Sequence, residues 1–324
     1  MPLVTIYSTN RVYHAPQFPH TLVTYRNDSD PRFAEHLQEQ VRRYCGVPPY
    51  LNLRSYLFRH LRLTRHQTTF DVDDDHLDAI PAWAATTNGI ILANDRLMRE
   101  EGCQPLIMTY RGRNNRLAQI LVPKDARQRR ERNDATILAL GLQPFKYLLE
   151  VAAESEVRPR KAQSIAKRCL ALFVLAQTAQ NVIDGITDTK PLAARWPIGV
   201  KALSREESDC LRQSFTVHDA KELTQRFEAV NLLLWALGHA KLPPANQRCD
   251  KDHIKDLLAS DQQLFVDNAG LRPIPQLLDA LDMHTRLHWI SDNQQRREQS
   301  SPHLIHTVIA ERYNALVWLT GTSV

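Results

Sequence analysis

An arginine in the middle of an apolar helix face is the residue of this sequence best placed to do chemistry. Residues 301–319, SPHLIHTVIAERYNALVWL, have helical spacing, and their apolar side chains form one stripe in which Arg312 lies. Burying a guanidinium is costly unless a carboxylate or a carbonyl group neutralises it. Arg312 is therefore predicted to anchor a buried structural network or to belong to a polar site.

Acidic and basic residues on the neighbouring helical segments supply partners for this arginine. Together they form a candidate carboxylate–arginine cluster: Glu228, Asp279, Asp282, Arg286, Glu311 and Arg312. We expect Arg312 to pair with Glu228 or Asp282 across a helix–helix contact, because guanidinium and carboxylate groups favour bidentate geometry. The favoured interpretation is an ion pair that fixes helix register. The alternative is a cleft that binds a polar ligand or performs acid–base catalysis.

Other chemical signatures point away from catalysis. The sequence has ten glycines and none of the glycine-rich phosphate-binding motifs. Two histidine pairs have helical spacing, His284 with His288 and His303 with His306, but neither has the glutamate of an H-E-x-x-H zinc site. No catalytic residue is predicted, and we expect neither a metal nor a cofactor.

Composition and charge narrow the class of protein further. The five cysteines are scattered and never form a C-x-x-C pair, which favours a reducing cytoplasm. No apolar run is long enough to span a membrane. The net charge of +5 permits nucleic-acid binding, and residues 111–132 are the basic stretch that could provide it. This stretch lacks interleaved aromatic residues, so a solvated connector is favoured over a nucleic-acid site.

The elements that position these residues change in character along the chain. Residues 1–122 are predicted to form a small α+β domain, and residues 123–324 a mainly α-helical domain, so the class is α+β overall. Six short β-like runs support the first domain, over residues 3–8, 20–25, 67–72, 89–93, 105–110 and 118–122.

Helix-capping residues indicate where the C-terminal helices begin. Ser204 with Glu207 has the capping-box pattern, and Asp219 with Glu222 offers a similar start for the helix that runs to Gly238. Ser301 followed by Pro302 is predicted to start the last helix.

Several of these segments together resemble a known family. DARQRRERND, RPRKAQSIAKRCLALFVLA, ALSREES, EAVNLLLWALG followed by LPP, IPQLLDALDMHTRLHWI and VIAERYNALVWL are similar to the successive blocks of domain-of-unknown-function family 4272. The resemblance covers about residues 123–319, and the amino-terminal half resembles the extension that longer, mostly bacterial members carry. It implies a mainly helical fold and brings no activity, substrate or cofactor.

These observations favour a non-catalytic binding or interaction protein of the bacterial cytoplasm, an accessory or immunity-type partner of another protein. The first alternative is an enzyme of unassigned chemistry that uses the carboxylate–arginine cluster. A weaker alternative is nucleic-acid binding through the basic connector.

Overall fold

The chain forms two compact units in the computed structural model. The structure describes residues 3–45, 53–93, 96–98, 105–108, 113–114, 122–146, 148–186, 190–212, 216–259, 261–298 and 301–322. The first unit comprises Met1–Gln128 and Leu149–Arg158, and the second comprises Arg129–Leu148 and Pro159–Thr322. The division thus falls after residue 128, and residues 149–158 return to the first unit.

An antiparallel sheet of seven strands forms the frame of the first unit. The strands are β1 (Leu3–Ser8), β2 (Thr21–Asn27), β3 (His66–Asp71), β4 (Gly89–Ala93), β5 (Arg96–Met98), β6 (Pro105–Met108) and β7 (Arg113–Asn114). Their order across the sheet is β2-β3-β1-β4-β5-β6-β7. The predicted α+β class is therefore confirmed. Strands β5 and β7 were not predicted, and most of the β-like run at residues 118–122 lies outside the described residues.

Side chains pack on both faces of the sheet at β1, because they alternate between the faces along the strand. On one face Tyr7 packs with residues of the helices α1 (Phe33–Cys45) and α2 (Leu53–Leu63). On the other face Ile6 packs with Phe70 of β3 and with Trp83 of the helix α3 (Ala79–Thr86), which follows a short 3-10 helix at Asp74–His76.

A buried carboxylate at Glu156 attaches residues 149–158 to the first unit. Its Oε1 accepts hydrogen bonds from Thr9 Oγ1 at 2.7 Å and Asn88 Nδ2 at 3.1 Å. Its Oε2 accepts from Arg59 Nη2 at 3.1 Å and from the backbone N–H of Ala153 at 2.8 Å. Four donors from separate parts of the unit therefore converge on one fully buried charge.

We predict that Glu156→Ala loosens the first unit, because Arg59 then keeps a buried positive charge without its carboxylate. Loss of one partner of a buried pair costs about 3–5 kcal/mol. Hydrogen-exchange mass spectrometry should show faster exchange in β1 and β4 peptides. Glu154→Ala is the matched control, since Glu154 donates to Asp125 through its backbone N–H, which alanine keeps. Equal exchange in both variants would contradict this role.

Helices make up the second unit. They are α4 (Lys124–Ala139), which begins in the first unit, α5 (Ala162–Ile183), α6 (Lys190–Arg195), α7 (Pro197–Lys201), α8 (Arg205–Arg212), α9 (Val217–Leu223), α10 (Arg226–Ala236), α11 (Lys251–Leu258), α12 (Gln262–Asp267), α13 (Ile274–Arg296) and α14 (His306–Thr320). Among the described residues, none of the helices combines the length and apolar character needed to cross a membrane.

Helix α5 lies at the centre of this unit and is buried on most sides. Helix α7 approaches it so closely that a Cβ atom on Gly199 would lie 2.8 Å from the carbonyl oxygen of Leu170. Only glycine leaves room for this contact between the two backbones.

The predicted capping box at Ser204 is confirmed. The Ser204 N–H donates to Glu207 Oε2 at 2.9 Å, and the Glu207 N–H donates to Ser204 Oγ at 3.2 Å. The start predicted at Asp219 is wrong, because Asp219 is the third helical residue of α9, and Thr216 is the cap. Helix α9 then ends at Leu223, before α10 begins.

The predicted start of the last helix at Ser301 is also wrong. Helix α14 begins at His306, because the preceding Ile305 is extended and donates its backbone N–H to the carbonyl of Ala245 at 3.1 Å. A tertiary contact therefore outweighs the local preference of Pro302 for a first helical turn.

Candidate functional site

Arg312 of α14 lies in a closed polar pocket of the second unit and is 0% exposed. Its Nε and Nη2 donate to Oε2 of Glu228 at 3.0 and 2.8 Å. Its Nη1 donates to the carbonyls of Pro243 and Pro244 at 2.6 and 3.2 Å, and Nη2 also donates to Gln247 O at 3.0 Å. Glu228 is thus the partner among the two carboxylates predicted for Arg312.

The carboxylate of Glu228, on the buried helix α10, is equally satisfied. Its second oxygen, Oε1, accepts the backbone N–H of Cys249 at 2.8 Å. The ion pair therefore holds the segment between α10 and α11 at two places. Arg312 binds the carbonyl of Pro243, and Glu228 binds the N–H of Cys249. A guanidinium with five hydrogen bonds and a carboxylate with both oxygens engaged have the geometry of a structural pair.

The environment of this pair suppresses nearby reactive groups. Burial, with Glu228 beside it, raises the pKa of the Cys249 thiol to about 12. Burial, together with the nearby Arg312, lowers the pKa of His284 to about 4. The Nδ1–H of His284 donates to the carbonyl of Ala280 at 2.8 Å, which opposes this shift without reversing it. A thiol that stays protonated and an imidazole that stays neutral are poor nucleophiles and proton carriers at neutral pH.

A second group of the cluster surrounds Arg286 on α13. Arg286 Nε and Nη2 donate to the two oxygens of Asp282 at 2.8 and 3.0 Å, and Nη1 lies 3.1 Å from Oδ1 of Asp134 on α4. Asn133 of α4 also donates to Asp282, at 2.9 Å. Both Asp282 and Arg286 are buried, so these bonds fasten α4 to α13.

The remaining acidic residue of α13, Asp279, continues this contact at the surface. Its Oδ1 lies 2.8 Å from Arg132 Nη2 and 3.6 Å from Arg129 Nε. Arg129 is buried, so the expectation that the basic connector is fully solvated is wrong at this residue. Residues 109–112 and 115–121 of the same region lie outside the described residues.

Glu311, the last member of the cluster, pairs with Arg226 and lies beside a cavity. Both of its oxygens accept from Nη1 of Arg226 at 3.0 Å. Burial raises the pKa of Glu311, and Arg226 lowers it only in part. Glu311 also lines a cavity among α5, α10 and α14.

The six candidate residues therefore do not form one site. Among the described residues, no hydrogen bond or ion pair joins the group around Arg312 to the group around Arg286. Nor do any three His, Cys, Asp or Glu side chains in those ranges lie in an arrangement that could hold a metal ion. The arrangement can fix two helix–helix contacts, α10 with α14 and α4 with α13. Arg226 and Glu311 line one cavity, and Glu228 lines a second cavity of about 470 Å³ together with Cys249.

Sequence reasoning missed two kinds of partner. The carbonyls of Pro243 and Pro244 that Arg312 binds belong to the LPP motif, whose fixed φ angles and absent N–H groups leave carbonyls in need of donors. Asn133 and Asp134 of α4 are adjacent in sequence, and only the fold brings the first to Asp282 and the second to Arg286. Glu156 carried no periodic signal at all.

The fold and these contacts define a two-unit α+β protein whose larger unit is a helical domain held by internal ion pairs. The family described as Domain of unknown function (DUF4272) matches residues 129–324, more than half of the chain, and the chain belongs to this family. The match begins where the second unit begins, and the amino-terminal region lies outside it. A comparison with curated proteins and one with solved structures each found no match.

We predict that Arg312→Met strongly destabilises the second unit, because Glu228 is left as an unpaired buried charge. The expected loss is about 3–5 kcal/mol, and Arg312→Met combined with Glu228→Met should recover part of it. Urea unfolding measures both. Arg296→Met is the control, since its exposed pair with Asp292 contributes at most about 1 kcal/mol. A folded Arg312→Met protein of normal stability would show that the pair is not structural.

We predict that His284 makes the protein sensitive to acid. Its folded-state pKa of about 4 lies below the unfolded value of about 6.5, so protons bind the unfolded chain preferentially. The stabilisation is complete above pH 6.5 and is lost as the pH falls towards 4, by about 3 kcal/mol in total. Urea unfolding from pH 7 to 4.5 should show a shallower pH dependence for His284→Gln, whereas the exposed His303→Gln should follow the wild type.

Proposed function

We propose that this protein is a non-catalytic binding protein, an accessory or immunity-type partner of another protein. The observation that carries the proposal is the pair of Arg312 and Glu228, in which every N–H of the guanidinium and both carboxylate oxygens are bonded within the protein. An enzyme that acts through the carboxylate–arginine cluster has less support, because its buried members bind one another. Nucleic-acid binding through the connector has less support as well, since Arg129 and Arg132 face Asp279.

An exposed apolar surface on the first unit supplies a place for a partner. Strand β2 is at the edge of the sheet, and its side chains Leu22, Val23 and Tyr25 are exposed, with Tyr13 packed 4.8 Å from Tyr25 between ring centroids. We call these four residues the β2 patch. Apolar residues clustered at the surface of a protein are typical of interaction sites.

The edge of the sheet favours contact through these side chains over the addition of a strand. The pairing of β2 with β3 shifts between Leu22 and Thr24, so Val23 is an extra residue in a β-bulge. Bulges interrupt the regular ladder and discourage pairing with another strand. A partner that packs an apolar surface against the β2 patch is therefore the better fit.

Two observations support a bacterial cytoplasm as the location. The cysteines that the structure describes, Cys45, Cys169, Cys210 and Cys249, are free thiols, as is usual in a reducing compartment. The amino-terminal half resembles the extension of longer bacterial family members.

The test is capture of partners by the full chain from a bacterial lysate, compared between two charge-introducing variants. Val23→Asp places a carboxylate in the β2 patch, at a side chain that is 53% exposed, and should abolish capture without harming the fold. Leu264→Asp, at a position 60% exposed in the second unit, should retain the captured proteins. Mass spectrometry of the captured material gives the readout.

The outcomes separate the alternatives. A protein that binds the wild type and Leu264→Asp but not Val23→Asp supports the proposal. Absence of any specifically captured protein, or equal capture by all three chains, would refute it. Capture that disappears after nuclease treatment would favour the nucleic-acid alternative.

A further inference from the structure

The second unit contains a cavity of about 100 Å³ among α5, α10 and α14 that is separate from the closed pair at Arg312. Its apolar lining consists of four buried side chains: Leu172, Ala229, Leu233 and Ala315. A concave apolar surface with a few polar groups at one side is the usual form of a small-molecule site.

The polar side of the cavity carries groups of both charges. Its charged lining residues are Arg168, Arg226 and Glu311, and the amide of Asn314 also lines it. Which ligand fits depends on the N–H groups that the neighbouring carboxylates leave unused.

The first of these arginines is already neutralised within the protein. Arg168 Nη1 and Nη2 donate to the two oxygens of Glu207 at 2.6 and 2.7 Å. Glu207 in turn accepts the backbone N–H of Ser204 in the capping box of α8. Arg168 is thus held in place by a complete bidentate pair.

The second arginine has donors to spare. Arg226 uses a single nitrogen, Nη1, for both oxygens of Glu311. Its Nε and Nη2 make no hydrogen bond within the described part of the chain, and its side chain is 40% exposed. Two parallel N–H groups on one edge of a guanidinium are the arrangement that binds a carboxylate in bidentate fashion.

We infer that this cavity binds a small monocarboxylate with a short apolar chain. The carboxylate accepts from Nε and Nη2 of Arg226, and the chain lies against Leu172 and Leu233. The volume limits the ligand to a few heavy atoms, since one water molecule takes about 30 Å³ of the liquid. The indole of Trp318, held by the guanidinium of Arg160 at 4.6 Å from its centroid, lines the same cavity.

Glu311 should make the binding dependent on pH. Charged groups approach it from three helices: Arg168 on α5, Arg226 and Glu228 on α10, and Arg312 on α14. Glu228 raises the pKa of Glu311 further, although Arg312 pairs with Glu228. An ionised Glu311 repels the ligand carboxylate and competes for Arg226, whereas a protonated one does neither. Because burial raises the pKa of Glu311, binding should tighten as the pH falls from neutral towards that pKa.

The experiment is calorimetric titration of the full chain with sodium butanoate and sodium hexanoate. Butan-1-ol and butylammonium chloride serve as probes of the same chain without the negative charge. We expect saturable binding of butanoate, weaker binding of hexanoate because its longer chain exceeds the cavity, and weaker or absent binding of the alcohol and the amine.

Variants locate the binding in this cavity. Arg226→Gln should weaken butanoate binding about tenfold or more, the effect of losing a charged hydrogen-bond pair. Arg212→Gln, the control at an exposed arginine paired with Asp209, should leave it unchanged. Ala229→Leu fills the cavity while keeping both guanidinium groups and should also abolish binding. Glu311→Gln should retain binding but remove its pH dependence.

Circular dichroism of each variant separates loss of binding from loss of fold, and Ala229→Leu decides the matter if Arg226→Gln does not fold. Three results would overturn the inference: no saturable binding of either carboxylate, equal binding by Arg226→Gln and the wild type, or tighter binding of butylammonium than of butanoate. None of these depends on whether the β2 patch binds a protein.

Discussion

The need to satisfy one buried guanidinium organises the second unit. Arg312 has five N–H groups, and they are shared between a carboxylate on α10 and three carbonyls of the segment that follows that helix. Since each unpaired donor would carry a large desolvation cost, the spacing of α10 and α14 and the path of the intervening segment are determined together. The pair with Glu228 therefore connects three elements: α10, α14 and the segment that follows α10.

Periodicity explains why much of this fold was predictable from the sequence. A charged residue on an apolar helix face must find a partner of opposite charge, so Arg312 and Glu228 were identifiable as a candidate pair before any coordinates. The capping box at Ser204 was equally visible, because its hydrogen bonds are local. What could not be predicted lies in segments without a repeat. The carbonyls of Pro243 and Gln247 and the carboxylate of Glu156 acquire their roles from long-range contacts that no local pattern encodes.

The candidate cluster also shows why residue type alone is a weak guide to function. Asp282, Glu311 and Asp279 are all carboxylates on helices, yet their side chains are respectively 2%, 15% and 44% exposed. The position of each carboxylate relative to the core decides whether it forms a buried ion pair or lines a cavity. The basic run in α4 illustrates the same rule, because Arg129 turns inward to a helix whose acidic residues lie 150 positions further along the chain. The sequence shows which residues are charged, whereas their ion-pair partners depend on the tertiary structure.

The long separation of Glu228 and Arg312, 84 residues, has a consequence for how the protein is made. Synthesis proceeds at about 5–20 residues per second, so α10 exists for roughly 4–17 seconds before its arginine partner has been added. During that interval the carboxylate can be kept only in water or neutralised by a proton, and the apolar flanks of α10 cannot close over it. The helical unit therefore cannot complete its core from the amino-terminal side alone. Folding of this unit can therefore be completed only after its last helix, α14, has been synthesised.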